Sequence, residues 1–129
     1  MKLSKIVYLP LTADLFHIGH LRAIKQCAQK GLVIVGLLDD PSYKEYVVPY
    51  EQRREILEEI KDVHFIVRQE SINPIENLKI IKPHYVASGD GFEPEELKAI
   101  KQVRAKILKL KYCREQSTTK LKQKICQKF

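Results

Sequence analysis

The stretch Ile6-Val7-Tyr8-Leu9-Pro10-Leu11-Thr12-Ala13-Asp14-Leu15-Phe16-His17-Ile18-Gly19-His20 decides the fold. Residues 6–9 are a short apolar run of the kind a buried strand needs. The histidine-bearing turn after it leads into residues 21–30, where Leu21, Ile24 and Ala28 recur at helical spacing and Gly31 follows the end. Strand, turn and helix in that order are the first part of a βαβ unit, and the pattern repeats outward along the chain. Residues 32–38 form an unbroken apolar run, which implies cover on both faces, as in a parallel sheet. Residues 39–50 are a polar loop with two prolines. Residues 51–60 predict a charged helix with Ile56, Leu57 and Ile60 inward, and 63–67 a third strand. Residues 74–82 predict a helix opened by proline, and 85–87 a fourth strand ended by Ser88-Gly89-Asp90-Gly91. A helix from about residue 95, a strand over 107–110 and a last helix starting near Ser117-Thr118-Thr119 complete the pattern.

This alternation predicts an α/β fold, a doubly wound, Rossmann-like parallel sheet in three αβα layers, as a single domain over residues 1–129. Ligands of such sheets bind beyond the carboxyl ends of the strands, near the point where strand order reverses. The loops at 14–20, 89–91 and 112–119 each follow a strand and are expected to converge there.

The composition is that of a soluble protein, with 44% hydrophobic and 30% charged residues. No apolar run approaches the roughly 18 residues of a membrane span, and the N-terminus runs straight into a strand without a signal-peptide core. Cys27, Cys113 and Cys126 are too widely spaced for a disulfide framework or a zinc pair, which predicts free thiols in a reducing cytoplasm. The net charge of +7 is concentrated in residues 98–129, where Glu115 is the only acid. That bias favours anionic partners, phosphorylated metabolites and nucleotides among them. No aromatic stacking set or recognition motif accompanies it, so neither nucleic acid nor a membrane is an expected partner.

The chemistry centres on His17-Ile18-Gly19-His20. Histidines three apart at a helix start face one site, Gly19 allows close backbone approach, and free amides at a helix N-terminus suit a phosphate. Two imidazoles can donate hydrogen bonds as charge grows on phosphate oxygens. By spacing alone, two surface histidines or half of a metal site fit equally well. Ser117-Thr118-Thr119 can cap the last helix or bind phosphate. Glu51-Gln52-Arg53-Arg54 offers either an arginine fork for phosphate or a solvated helix face. Lys44 and Lys61 are weaker candidates.

Together these features resemble the cytidylyltransferase-like nucleotidyltransferase family, with the motifs in family order from about residue 6 to residue 125. Within it the chain looks most like the glycerol-3-phosphate cytidylyltransferases. The resemblance implies that His17 and His20 contact the triphosphate and stabilise the transition state. It implies that Lys44 reaches the α-phosphate, and that Arg53 and Lys61 hold the acceptor. Leu11, Thr12, Asp14, Gly19, Gly89, Asp90 and Arg114 would line the nucleotide site, with Ser117, Thr118 and Thr119 on the β and γ phosphates. The implied reaction moves CMP from CTP to a small phosphorylated acceptor such as glycerol 3-phosphate. Mg²⁺ would be carried by the triphosphate, the protein would hold no metal site of its own, and the chain would form a homodimer. Two segments depart from the pattern. Leu11-Thr12-Ala13-Asp14 stands where the family has Gly-Thr-Phe-Asp, and Tyr112 and Glu115 replace an arginine and a glycine. Residues 48–53 and 89–96 look instead like the adenylyltransferase domain acting on heptose 1-phosphate. ATP with a sugar phosphate, or a non-catalytic nucleotide-binding homologue, are therefore the alternatives.

Overall fold

A computed structural model describes residues 4–111 together with 121, 123 and 124. Arg114, Ser117, Thr118 and Thr119 lie outside these residues, as does most of the predicted last helix, of which 121, 123 and 124 are described and helical. The described elements are β1 (Ile6–Leu11), α1 (Ile18–Ala28), β2 (Leu32–Leu38), α2 (Tyr50–Glu58), β3 (Phe65–Gln69), α3 (Ile75–Ile81), β4 (Tyr85–Ser88), α4 (Pro94–Gln102) and β5 (Lys106–Lys109). All pairings are parallel, in the order β3-β2-β1-β4-β5. The chain thus winds from β1 out to β3, then returns to place β4 on β1's other side. This leaves a crevice at the carboxyl ends of β1 and β4.

Strand alternation sorts the core into two layers. Val7 and Leu9 join Val33, Val35 and Leu37 in a cluster with Ile24 of α1 and Leu57 of α2. Tyr8 and Val86 face the other way, against Leu78 of α3 and Ile100 of α4. The three αβα layers follow directly from the two-sided burial of β1 and β2. In α2 the inward stripe is Tyr50, Arg53 and Leu57, while Ile56, expected inside, is 44% exposed. An arginine occupies a core position of this helix, which displaces the apolar register by one residue.

Tyr8 crosses beneath β2 to reach a buried polar network. Its hydroxyl donates to Gln69 Oε1 at 2.5 Å and accepts from Asn77 Nδ2 at 3.1 Å. Room for the ring comes from Gly36, where a Cβ would lie 1.9 Å from Tyr8 Oη and 2.8 Å from Gln69 Oε1. Gly36→Ala should therefore cost about 1–3 kcal/mol through overpacking, read as a lower urea midpoint at unchanged slope. An unchanged midpoint would contradict the packing account.

At the opposite end of the sheet, two histidines close the hydrogen-bond ladders. The backbone of His64 donates to Val33 O at 3.0 Å while its Nδ1 accepts from Val33 N at 2.9 Å. His84 does the same with Ile6, at 2.9 Å in both directions. Each satisfies both groups of a strand-end residue with one side chain and its own backbone.

Candidate active site

Beyond the carboxyl ends of the strands, a cavity of about 290 Å³ opens at the reversal in strand order. Leu11 and Thr12 from the end of β1, Leu38 from β2, Gln69 from β3, and Ser88 and Asp90 from β4 and its loop all contribute to its wall. Tyr43 and Phe92, which sequence reasoning passed over, add aromatic surface to it. Gly91 is left-handed at φ 91, and its carbonyl accepts from Ser88 Oγ at 2.8 Å, so glycine is needed at 91. At Gly89 a Cβ would meet nothing within 4 Å.

At the head of α1, outside the residues that line this cavity, His17 is the N-cap and forms a reciprocal capping box with His20. Gly19 N donates to His17 Nδ1 at 3.0 Å, and His17 N donates to His20 Nδ1 at 3.0 Å. The rings lie 3.9 Å apart between centroids, and Phe16 stacks on His20 at 5.3 Å. Because both Nδ1 atoms accept backbone hydrogen bonds, each neutral ring must carry its proton on Nε2. Amides expected to face a phosphate are thus partly consumed by the imidazoles. What the helix head offers in their place is two Nε2–H donors in fixed orientations.

Burial lowers the pKa of His17, and burial followed by the charge of His17 lowers that of His20 to about 4. Both rings are therefore neutral near pH 7. The folded value of His20 lies below its ordinary value of 6.5, so the unfolded chain takes up this proton first on acidification. The corresponding stability is complete above about pH 6.5 and is lost as the pH falls towards 4, by about 3 kcal/mol at most. Urea unfolding at pH 7 and pH 4.5 checks this. His20→Asn should flatten the difference, and an equal difference in both proteins would show that other groups cause it.

Asp14, between β1 and the histidine turn in sequence, is 1% exposed. Its Oδ2 accepts from Val47 N and its Oδ1 from Val48 N, each at 2.9 Å, and Lys44 Nζ lies 3.5 Å from Oδ2. Burial opposes its ionisation, but the two backbone N–H groups and Lys44 outweigh burial and hold the carboxyl below its usual range. The residues flanking it, Ala13 and Leu15, both have left-handed backbone, at φ 51 and φ 58. Non-glycine residues adopt this conformation at a cost that the surrounding contacts must offset.

Arg53 is also 1% exposed. Its Nε donates to Val48 O at 2.9 Å, and its Nη1 donates to Thr12 O at 2.7 Å and Leu38 O at 2.8 Å. Tyr46 stacks on the guanidinium at 4.2 Å. Nη2 is buried and has no partner among the described residues. The fork expected to grip a phosphate with two donors thus spends most of its capacity on backbone, and its remaining nitrogen is buried. Lys61 is not brought to the crevice. It lies in the turn that enters β3 at its amino end, the far end of the sheet.

Arg68 at the end of β3 was not singled out by its sequence context. It stacks on Tyr50 at 4.1 Å and pairs with Asp39 at 3.2 Å. Among the described residues no cluster of three His, Cys, Asp or Glu side chains could hold a metal ion, and no helix is long and apolar enough to cross a membrane.

Over residues 10–124 the chain matches the cytidylyltransferase-like family. It is 30% identical over 101 residues to the bifunctional protein HldE of Aliarcobacter butzleri, an alignment taking in 73% of this chain and 21% of that protein. With HldE of Sulfurimonas denitrificans the identity is 32% over 130 residues, 95% of this chain and 27% of that protein. The chain therefore spans between 21% and 27% of the length of these two relatives. Among solved structures, the lipopolysaccharide core biosynthesis protein from Thermoplasma volcanium GSS1 superimposes with a TM-score of 0.74 at 17% identity, over 85% of this chain and 98% of that one. The pantoate-beta-alanine ligase of Francisella tularensis, complexed with beta-gamma ATP and beta-alanine, gives 0.63 at 20% identity, over 89% and 62%. At these identities the structural likeness is one of fold.

Proposed function

The chain belongs to the cytidylyltransferase-like nucleotidyltransferase family, and from that premise we propose that it moves a nucleotidyl group from a nucleoside triphosphate to a phosphorylated small molecule, releasing pyrophosphate. The observation that carries this reading is the paired capping of His17 and His20, which aims two neutral Nε2–H donors from one helix head.

An oxygen of the acceptor phosphate attacks the α-phosphorus in line, and the bond to the bridging oxygen of the β-phosphate breaks. The acceptor phosphate is already ionised, so no general base is needed. Catalysis is positioning plus stabilisation of the charge that develops on the phosphate oxygens. His17 and His20 serve the bridging region, and Lys44 serves the α-phosphate. The resemblance gives Arg53 to the acceptor phosphate, which its buried Nη2 would meet only once uncovered. Leu11, Thr12, Asp90 and Arg114 border the nucleoside, and Ser117, Thr118 and Thr119 hold the leaving pyrophosphate. Mg²⁺ would be carried by the triphosphate, whose oxygens would supply most of its ligands and whose charge it would help to neutralise. A homodimer in a reducing cytoplasm belongs to the same reading. Burial pushes the Cys27 thiol up to about 12, so it takes no nucleophilic part in this reading.

The base and acceptor that we favour are ATP and a sugar 1-phosphate of the heptose kind. Residues 48–53 and 89–96 resemble the adenylyltransferase acting on that acceptor. The relatives at 30% and 32% identity are both HldE proteins, so their substrates are the first to try. CTP with glycerol 3-phosphate is the second reading, supported by the order of the motifs and the size of the chain. Pyrophosphate release with each triphosphate against both acceptors separates them, and turnover is expected with ATP and heptose 1-phosphate. No turnover with any pair and no triphosphate binding would end the enzymatic reading. Binding without release, indifferent to His17→Ala, would point to a non-catalytic homologue.

A further inference from the structure

We infer that Asp14 is a positioning residue that acts on the reaction through Lys44, an inference that rests on the nucleotidyl-transfer reading. Lys44 sits in the 39–49 segment between β2 and α2, and that segment is anchored at two places. The first anchor is Asp40. Its Oδ1 accepts from Ser42 N at 3.1 Å and Ser42 Oγ at 2.6 Å, its Oδ2 accepts from Ile72 N at 3.3 Å, and its carbonyl accepts from Tyr43 N at 3.0 Å. The second anchor is Asp14, which takes the amides of Val47 and Val48. Lys44 lies between them, 28% exposed, with its ammonium turned towards Asp14 Oδ2.

The carboxylate is placed to govern that lysine. Three of its hydrogen-bonding positions go to residues 44–48, and it is buried behind the cation that would meet the phosphates. Its charge also reaches His20. A buried carboxylate set directly against a triphosphate would repel it. Set behind Lys44, it orients the ammonium and fixes the backbone that carries it. The tie closes on itself through Val48, whose N–H goes to Asp14 and whose carbonyl accepts from Arg53, while Arg53 donates onward to Thr12 O.

The test is a double-mutant cycle on kcat together with amide exchange. Asp14→Asn keeps the shape but replaces one acceptor oxygen with a donor. Misplacing Lys44 by an ångström or so should lower kcat by about 100-fold, with the KM for triphosphate changed by less than about threefold. In a Lys44→Met background the same substitution should change kcat by less than about threefold, because the residue it acts through is gone. Losses that multiply in the double variant would overturn the inference and assign Asp14 a contact of its own. Val47→Pro removes one amide donor and leaves Asp14 untouched, so it should reproduce part of the loss, and full activity in that variant would also overturn it. Hydrogen exchange judges the tie without turnover. The amides of residues 47 and 48 should lose at least about tenfold protection in Asp14→Asn while α1 keeps its own, and retained protection at 47 and 48 sinks the proposal. Absence of pyrophosphate release from the unmodified chain would instead count against the nucleotidyl-transfer reading, with the exchange result still deciding on Asp14.

Discussion

His17→Asn lowers kcat by about 10²–10³-fold and leaves the fold intact. The two consequences separate because His17 does two things with two different atoms. Nδ1 accepts from Gly19 N and caps α1, and Nε2–H points away as a donor. Asparagine is among the best N-cap residues, and its Oδ1 replaces Nδ1 as the acceptor. The donor position of Nε2 has no counterpart in the shorter side chain. Losing a donor that acts only on developing charge removes about 2.7–4 kcal/mol of transition-state stabilisation, and the KM for triphosphate changes far less than kcat. His17→Ala loses the cap as well, so it should add a stability loss of about 1 kcal/mol to the same kinetic defect. Steady-state kinetics beside a denaturation curve for both variants checks this. Wild-type kcat in His17→Asn would mean that the imidazole is only a cap.

Arg53→Met should destabilise the chain by about 3–5 kcal/mol, the largest stability effect expected of any single substitution described. Methionine fills much of the same volume, so the loss is not one of packing. The carbonyls of Thr12, Leu38 and Val48 lose their donors together, and each buried group without a partner costs about 1–3 kcal/mol before relaxation. These three carbonyls belong to the ends of β1 and β2 and to the loop that carries Lys44, so activity should fall even where the protein remains folded. Arg53→Lys keeps a charge but offers one nitrogen where two now make three bonds, and should fall between methionine and wild type. Urea denaturation of the three proteins gives the order. A loss below about 1 kcal/mol for Arg53→Met would show that the carbonyls find other partners.

The strand pattern was legible because β1 and β2 are buried on both faces, and continuous apolar runs signal that directly. Residues 32–38 were placed to the residue, and β4 and β5 to within one at each end. The head of α1 was misjudged by three residues, since His17 caps the helix earlier than its apolar periodicity begins. Arg53 was legible as important but not as buried. An arginine in a charged helix gives no sign that its partners are carbonyls rather than phosphates. The hold on Lys44 was invisible for a related reason: Asp14 takes the amides of Val47 and Val48, and every residue but proline has an amide. Lys61 was misplaced because its position in a motif says nothing of the end of the sheet at which a turn emerges.

That use of main-chain groups also shapes which sequences can carry this site. Val47 is 58% exposed, and its part in the corner is an N–H that nineteen residue types share. A saturation library at position 47 should therefore be nearly flat, with proline the one deep loss, while libraries at 14 and 53 should be steep in every direction. The corner that positions the chemistry would then leave two isolated sharp columns in a mutational profile, separated by a stretch that tolerates drift.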